Sequence, residues 1–417
     1  MREAVTRVGR CRVCDANDWL PVVSYGPVPL ANAYLDPASS YAAEQRYPLN
    51  VIACRNCWLV SLAHVVDPEV LYRDYFYVSS ESATMTAHMR HVTHTCIRRF
   101  EIKTGSLVVE LGSNVGTQLQ FFGAAGMRVL GVDPARNLAK IADDNGIPTI
   151  PEFFSRELAR QMSQEYGLAH LIIGRHVFAH VNDLAEIIAG VRCLLDPKVG
   201  IFTIEVPYLL DMLAGRQFDT IYHEHLSYFS VGTLSRLFER HGMRIIDVER
   251  FPIHGGSIMV AAAPHESSWQ VRPVVPSLMA AEDGEGLSQE ARYREFARAT
   301  REVQASLASL VRGLAAEGNL IAGYGATAKS SVLLGACGLG ASEIAYCTDT
   351  TPLKQGKVLP GTHIPIFPPS HADLHPPDYY LLFAWNYAEE ILRKERAYLV
   401  SGGRIIVPLP DPSVVGC

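Results

Sequence analysis

Short apolar runs alternate with helical patterns through the middle of the chain, and this alternation predicts its architecture. The apolar runs predict strands at 107–111, 127–132, 169–174 and 200–207, the helical patterns lie at 82–102, 135–145 and 183–195, and a hairpin is predicted at 243–251 and 257–263. Because strands that alternate with helices form parallel sheets, we expect a doubly wound α/β sheet with one antiparallel strand.

A second set of elements follows a polar stretch at 265–289. Helices and strands are predicted at 291–317, 319–322, 344–348, 378–385, 387–399 and 404–407. The order strand, glycine turn, helix predicts another Rossmann-like unit. Its turn, Gly323-Tyr324-Gly325, lies just before Lys329 and Ser330, and Lys354 and Lys357 follow. These groups suit a pyrophosphate, which favours a nicotinamide site or, in a chain with two such units, the phosphates of an acceptor.

The first glycine turn has its own chemistry. The strand ends as Glu110-Leu111-Gly112-Ser113-Asn114, Gly116 precedes the helix, and Asp133 closes the next strand. Glycines let a ligand approach the backbone, and a carboxylate at the end of the second strand can accept hydrogen bonds from ribose hydroxyls. The glycines are spaced more loosely than in phosphate-binding loops, so the pattern favours S-adenosylmethionine, which has no phosphate. An ordinary strand-to-helix turn is the alternative.

Composition limits the function classes. The 417 residues predict two or three domains, and 48% hydrophobic with 19% charged residues is ordinary for a globular protein. The net charge is −6 and no basic block occurs, which argues against nucleic acid as the main partner. With no apolar leader and no run of membrane-spanning length, we expect a cytoplasmic protein without a membrane partner.

Four of the nine cysteines form two close pairs that suit a metal ion. Two Cys-x-x-Cys pairs, Cys11/Cys14 and Cys54/Cys57, can supply four thiolates in tetrahedral geometry. We therefore predict a structural zinc site, with a redox pair as the alternative.

The densest group of reactive side chains is Tyr222-His223-Glu224-His225. His223 and His225 are two positions apart, so the group does not fit the His-Glu-x-x-His zinc pattern. It favours a general acid/base cluster, with a polar loop packed under the sheet as the alternative. His180, Glu205 and Tyr208 belong to the same predicted edge of the sheet, where ligands bind.

The chain resembles the C-methyltransferases of antibiotic deoxysugar pathways, which act on nucleotide-linked 4-ketosugars. The resemblance extends over nearly the whole chain, and its motifs are the four cysteines, Glu110–Asn114, Val177–His180, Tyr222–His225, His254–Ser257, Gly323–Lys329, Lys354–Lys357 and Pro360–Pro365. It implies a zinc-binding domain at 1–75, a class I S-adenosylmethionine-binding domain at 76–265 and a nucleotide-sugar-binding Rossmann-like domain at 266–417. The implied partner is a small molecule, a thymidine-diphosphate-4-keto-deoxyhexose, and the implied state is a monomer.

The resemblance also implies residue roles. His225 would remove the proton at C3, Glu224 would orient or tune His225, and Tyr222, His180 and Tyr75 or Tyr77 would lie near the ketone. Residues expected to hold the donor are Glu110, Gly112, Ser113, Asn114, Gly116, Asp133, Pro134 and His176. Residues expected to hold the nucleotide sugar are Ser79, His254, Gly255, Tyr324, Lys329, Ser330, Lys357 and Asn386.

Two positions depart from the family. Members often carry Asn where His176 stands, and many carry Arg where this chain has Met259. The alternatives are an O- or N-methyltransferase, an NAD(P)-dependent oxidoreductase that uses the Gly323 turn, and a zinc-ribbon interaction protein. The cluster of Tyr222, Glu224, His225 and His180 favours carbon methylation over these.

Overall fold

The computed structural model describes residues 5–39, 41–72 and 83–416. The predictions on Tyr75, Tyr77 and Ser79 lie outside the described residues. Among the helices that are described, none is long and apolar enough to cross a lipid bilayer.

The strands are β1 (Val5–Arg7), β2 (Trp19–Pro29), β3 (Arg46–Cys54), β4 (Val60–Leu62), β5 (His64–Val66), β6 (Leu107–Leu111), β7 (Arg128–Val132), β8 (Thr149–Ile150), β9 (Leu171–Arg175), β10 (Ile201–Pro207), β11 (Ser227–Tyr228), β12 (Met243–Phe251), β13 (Ser257–Pro264), β14 (Ile321–Tyr324), β15 (Tyr346–Thr348), β16 (Ile366–Phe367), β17 (Tyr379–Leu382), β18 (Arg404–Val407) and β19 (Ser413–Val415). The helices are α1 (Pro68–Tyr72), α2 (Ala83–Arg99), α3 (Thr117–Ala124), α4 (Arg136–Asp144), α5 (Arg156–Tyr166), α6 (Leu184–Leu194), α7 (Leu209–Ala214), α8 (Val231–Arg240), α9 (Val274–Gly284), α10 (Glu290–Ala316), α11 (Ala328–Cys337), α12 (His371–Leu374), α13 (Ala388–Lys394) and α14 (Arg396–Val400).

The central sheet has seven strands in the order β12-β13-β10-β9-β6-β7-β8. β13 pairs antiparallel with both of its neighbours, and β8, β7, β6, β9 and β10 pair parallel with one another. The prediction of a doubly wound sheet with one antiparallel strand is therefore confirmed. The carboxyl ends of β6, β7, β9 and β10 meet at one edge, where such sheets bind ligands.

The C-terminal sheet has six strands in the order β16-β15-β14-β17-β18-β19. The first five pair in parallel and β19 pairs antiparallel with β18, which confirms the second Rossmann-like unit. The single helix expected at 387–399 is two helices, α13 and α14, with Glu395 between them.

The N-terminal segment is antiparallel and packs on the central sheet. β2, β3 and β4 form a sheet whose fourth strand is β11, from a distant part of the chain, and β1 pairs with β5. One continuous hydrophobic cluster joins Leu49 and Leu59 of this segment to Ile204 and Phe238 of the central unit. The N-terminal segment therefore shares its core with the central unit.

The polar stretch at 265–289 contains α9, a helix that sequence analysis did not predict. Glu282 on α9 is buried, and its carboxylate accepts hydrogen bonds from the backbone N–H groups of Val231 (2.6 Å) and Gly232 (2.9 Å) and from the Tyr208 hydroxyl (2.9 Å). These N–H groups open α8 and have no partner within that helix. α9 is thus held by a carboxylate that caps the N-terminus of α8.

We expect Glu282→Ala to lower the free energy of unfolding by about 2–4 kcal/mol, because it leaves the buried N–H of Val231, the half-buried N–H of Gly232 and the buried Tyr208 hydroxyl without their acceptor. The shift of the denaturant midpoint relative to wild type measures this loss. Glu285→Ala is the control, since Glu285 is exposed at the end of the same helix, and we expect a change within about 0.5 kcal/mol. Equal midpoints for both variants would contradict the capping role.

Candidate active site

A cavity of about 590 Å³ lies between the carboxyl edge of the central sheet and the N-terminus of α11. All three parts of the chain line it. The N-terminal segment contributes Asn32 and Tyr72, the central unit contributes the turn after β6 and the loop around His225, and the C-terminal unit contributes Lys329 and Asn386. The cavity is therefore a site that no single unit forms alone.

The turn after β6 brings the backbone at Gly112 close to the side chain of Val177. Gly112 has a φ of 66°, and a Cβ at this position would lie 2.1 Å from Cγ2 of Val177. Asp133 accepts hydrogen bonds from the backbone N–H of Asn114 (2.7 Å) and of Ala135 (2.9 Å). The carboxylate therefore fixes this turn and the following one, and Asp133 lines the cavity.

Three buried polar side chains face this end of the cavity with unpaired atoms. The described residues offer no hydrogen-bond partner to Oε2 of Glu110, Oγ of Ser113 or either amide atom of Gln118. Burial raises the pKa of Glu110 to about 8, while Arg175 opposes the shift. A ligand with both donors and acceptors, such as the adenosyl and amino-acid groups of S-adenosylmethionine, fits this set. Pro134 and His176 line the same end, whereas Gly116 lies behind it at the start of α3.

Glu205 organises a charged cluster that sequence analysis did not assign. It is fully buried, and Nε2 of His88 lies 2.9 and 3.0 Å from its two carboxylate oxygens. His176 Nε2 lies 3.3 Å away and an Arg175 nitrogen 3.7 Å away. Burial alone would raise the pKa of Glu205, but the close contacts with His176 and His88 and the charge of Arg175 hold it well below the usual value. The sequence feature that could have indicated this cluster is Glu205 itself, the one acidic residue in the otherwise mostly apolar strand β10.

His225 is held as a neutral imidazole beside the cavity. Its Nδ1 lies 2.7 Å from the carbonyl oxygen of Thr220, so Nδ1 carries the hydrogen and Nε2 keeps its lone pair. Burial lowers its pKa to about 3. The ring centroid of Tyr222 lies 4.0 Å away and that of His180 lies 5.2 Å away. His180 is buried, which lowers its pKa well below the usual value, and the described residues leave its Nε2 unpaired.

Glu224 has a different position from the one expected. Its Oε1 accepts a hydrogen bond of 2.6 Å from Asn32 of the N-terminal segment, and it is not among the residues that line the cavity. The contact that orients His225 comes from the Thr220 carbonyl, a backbone group with no sequence signature. That Glu224 orients or tunes His225 stays a prediction.

Two lysines and an amide lie at the C-terminal end of the cavity. Nζ of Lys329 donates to Oδ1 of Asn386 at 2.6 Å, and burial lowers the pKa of Lys329 to about 8. Nζ of Lys354 donates to the Ala326 carbonyl at 3.0 Å. His254, with a φ of 56°, also lines the cavity, and its ring meets that of His176 edge-on at 4.6 Å.

Four residues expected to hold the nucleotide sugar do not line the cavity. The Tyr324 hydroxyl donates to Glu395 at 2.7 Å, and the buried Ser330 hydroxyl donates to the Thr327 carbonyl at 2.6 Å. Lys357 pairs with Asp36 at 2.9 Å. Gly255 is packed against other side chains, since a Cβ there would lie 2.8 Å from Cη2 of Trp385.

The four paired cysteines meet in one cluster. The Sγ atoms of Cys11, Cys14, Cys54 and Cys57 lie within 4.8 Å of one another. The distances Cys11–Cys57 (3.4 Å) and Cys14–Cys54 (3.5 Å) exclude disulfide bonds, whose sulfurs lie about 2 Å apart. Four thiolates at this spacing fit a tetrahedral zinc ion.

Three family models match successive parts of the chain. Residues 11–72 match a zinc binding domain, residues 84–248 a methyltransferase domain, and residues 252–410 a C-methyltransferase C-terminal domain. C-methyltransferase NovU from Streptomyces niveus is 50% identical over 415 residues, which cover 100% of this chain and 99% of the relative.

Solved structures are similar over less of the chain. Magnesium protoporphyrin IX methyltransferase from Synechocystis PCC 6803, with bound S-adenosylmethionine, is 13% identical, with a TM-score of 0.33 over 43% of this chain and 81% of that one. The 1,6-didemethyltoxoflavin-N1-methyltransferase from Burkholderia thailandensis is 20% identical, with a TM-score of 0.32 over 43% and 80% of the two chains.

We expect Cys54→Ser to lose zinc to a chelator that leaves the wild-type metal in place, and to unfold at a lower temperature. The reason is that the binding free energy of a structural zinc ion is part of the folding free energy. Metal content by mass spectrometry and thermal unfolding measure the two effects. Cys193→Ser is the control, because Cys193 lies on α6 outside the cluster. An unchanged unfolding temperature after complete removal of the metal would argue against a structural role.

Proposed function

Because the chain belongs to the S-adenosylmethionine-dependent C-methyltransferases, we propose that its acceptor is a thymidine-diphosphate-linked 4-keto-deoxyhexose and that methylation occurs at C3. The product is a branched-chain deoxysugar for a natural product. The observation that carries this proposal is the composition of one cavity, which has a donor-type glycine turn at one end, two lysines at the other and the neutral His225 beside it. The chain binds S-adenosylmethionine as its methyl donor and contains a zinc-binding domain.

The proposal divides the chain into three functional parts. Residues 1–75 hold zinc, 76–265 hold the donor and 266–417 hold the nucleotide sugar. Within it the chain acts as a monomer, since described residues of all three parts line the same cavity. The family supports methyl transfer over the nicotinamide alternative for the Gly323 turn.

The donor end supplies binding and orientation. S-adenosylmethionine supplies an electrophilic methyl group on a positively charged sulfur. In the proposal, Asp133 holds the turn and accepts from the ribose, while Glu110, Ser113 and Gln118 pair with the polar groups of the donor. Their buried, unpaired atoms support this role, because buried polar groups in folded proteins have partners.

His225 acts as the base for the proton at C3. The ketone at C4 acidifies this hydrogen, and Nε2 of His225 accepts it while the electron pair moves onto the C4 oxygen. The low pKa of His225 keeps this lone pair available at neutral pH. The negative charge that develops on the substrate then stabilises the imidazolium, which the free protein disfavours.

Stabilisation of the enolate falls to the neighbouring donors. His180 lines the cavity with an unpaired buried Nε2, and an N–H there donates to the enolate oxygen. Tyr222 is proposed as a second donor to the enolate oxygen. Tyr75 or Tyr77, from the part of the chain that the structure does not describe, is proposed as a third. The enolate pair then forms the bond from C3 to the methyl carbon, and the methyl–sulfur bond breaks with its pair left on sulfur.

The diphosphate is proposed to lie at the C-terminal end. The half-buried Lys329 and the buried Lys354 are cations there, and the N-terminus of α11, a ten-residue helix, lies at the same place. Helix N-termini and lysines both stabilise phosphate. Asn386 holds Lys329, and His254 completes the wall between the two ends.

Mass spectrometry of thymidine-diphosphate-4-keto-deoxysugars, incubated with the protein and S-adenosylmethionine, tests the reaction. We expect a gain of one methylene unit on the carbon skeleton. His225→Asn should abolish the gain and also abolish exchange of the C3 hydrogen with solvent deuterium, because Asn keeps an N–H for Thr220 but has no basic nitrogen.

His223→Asn is the matched control. His223 lies in the same loop but contacts the Tyr47 carbonyl at 3.2 Å and does not line the cavity, so we expect methylation to continue. Donor affinity by calorimetry should be unchanged in both variants. Deuterium exchange that persists in His225→Asn would remove His225 as the base, and no methylation of any 4-ketosugar by a donor-binding wild type would overturn the acceptor.

The acceptor kcat/KM should fall as the pH rises through about 8, where Lys329 loses its charge in the free protein. The sign follows from charge: the ammonium that attracts the diphosphate is present below this pKa and absent above it. Lys329→Arg should remove this basic limb, because a guanidinium stays protonated. If kcat/KM of Lys329→Arg still fell at the same pH as in wild type, a group other than Lys329 would be responsible for the fall.

A further inference from the structure

Trp385 joins three parts of the candidate active site. Its Nε1–H donates a hydrogen bond of 2.6 Å to Oδ2 of Asp219. Its ring lies 4.6 Å from Nζ of Lys329, and a Cβ added to Gly255 would lie 2.8 Å from its ring edge. The indole of Trp385 therefore contacts the loop that carries His225, the ammonium group of Lys329 and the turn at Gly255.

Asp219 lies one residue before the group that fixes the base. The carbonyl of Thr220 accepts the Nδ1 hydrogen of His225 at 2.7 Å, and the Thr220 hydroxyl donates to the Gln217 carbonyl at 2.7 Å. Asp219 and Thr220 belong to one short 3-10 helix, Phe218–Thr220, and the backbone N–H groups of Thr220 and Ile221 donate to the Gln217 and Phe218 carbonyls, both at 3.3 Å. A shift of Asp219 therefore displaces this turn together with the Thr220 carbonyl. The position of the His225 ring therefore depends on where Asp219 is held.

The burial of Asp219 indicates a specific role for its carboxylate. The side chain is fully buried, and the described residues offer no hydrogen-bond partner to its Oδ1. Burial raises its pKa to about 6, against the opposing effect of Lys329. A buried carboxylate with one unpaired oxygen costs stability, so packing alone does not account for it.

We propose that the hydrogen bond between Trp385 and Asp219 couples the acceptor-binding end of the cavity to the base, so that Trp385 and Asp219 are positioning residues for His225. The inference rests on the proposed function. The ammonium group of Lys329 lies over the indole ring of Trp385. It also donates a hydrogen bond of 2.6 Å to Oδ1 of Asn386, the next residue. An acceptor bound to Lys329 thus fixes the position of the indole ring of Trp385. The indole N–H in turn fixes the carboxylate of Asp219, and the carbonyl of the adjacent Thr220 fixes the imidazole ring of His225.

The first test compares two substitutions that separate the hydrogen bond from the charge. Trp385→Phe keeps an aromatic ring beside Lys329 and Gly255 but removes the N–H donor. Asp219→Asn keeps an oxygen that accepts from Trp385 but removes the charge. We expect Trp385→Phe to lower kcat roughly tenfold to a hundredfold, as a misplaced base does. Asp219→Asn should stay within about threefold of wild type, and donor affinity by calorimetry should be unchanged in both.

A double-mutant cycle makes the test sharper. Asp219→Ala should lower kcat as much as Trp385→Phe does, and the double variant should show no further loss, because each change removes the same interaction. Losses that multiply in the double variant would overturn the coupling, as would a loss in Asp219→Asn equal to that of Asp219→Ala.

Trp269→Phe is the matched control for the loss of an indole donor. Nε1 of Trp269 donates to the Val199 carbonyl at 3.2 Å, away from the cavity, so we expect kcat to be unchanged. A fall in kcat equal to that of Trp385→Phe would overturn the assignment of the effect to position 385.

Nitrogen NMR of histidine-labelled protein gives a readout that does not depend on turnover. In wild type the His225 ring nitrogens should report a hydrogen on Nδ1, and in Trp385→Phe the signal should report a mixture of tautomers. An unchanged Nδ1–H signal in Trp385→Phe would overturn the inference even if the sugar substrate were wrong. Absence of methyl transfer in wild type, with the NMR change present, would instead count against the proposed function alone.

Discussion

A carboxylate at the end of the second strand fixes the glycine turn in each of the two Rossmann-like units. In the central unit Asp133 accepts from the N–H groups of Asn114 and Ala135. In the C-terminal unit Asp349 accepts from those of Ala326 (2.7 Å) and Thr351 (2.8 Å). Parallel strands end at the same edge of a sheet, so each carboxylate connects the turn after the first strand to the turn after its own strand. The two glycine turns held in this way lie at opposite ends of the cavity.

Burial then sets the charges inside this cavity. Imidazoles lose their protons when they are buried without a counter-charge, which keeps His180 and His225 neutral. Glu205 shows the opposite balance, because His88, His176 and Arg175 surround its carboxylate and outweigh burial. Burial thus keeps His180 and His225 uncharged, while Glu205 keeps its negative charge.

The sequence predicted those features that depend on local pattern. Strand and helix alternation gave the two sheets, the spacing of Cys11, Cys14, Cys54 and Cys57 gave the metal cluster, and Gly112 gave the turn. Features that join distant residues were missed. His88 and Glu205 are 117 positions apart, and Lys357 is held by Asp36, 321 positions away. The orienting group of His225 is a backbone carbonyl, which every residue has. Only tertiary structure could show these contacts.

The segment that carries His225 contacts the zinc-binding segment directly. Ser227 and Tyr228 of β11 pair with Ser61 and Val60 of β4, a few residues after Cys57. Arg12, between two of the cluster's cysteines, donates to the carbonyl of Leu226 at 3.2 Å. The segment that carries His225 is thus held by the zinc-binding segment on its C-terminal side.

Trp385 holds the same segment on its N-terminal side, through Asp219. A loop fixed at both ends by different parts of the chain keeps its geometry only when all three parts are folded. The zinc-binding segment therefore contributes to the position of His225 through the strand pairing of β4 and β11.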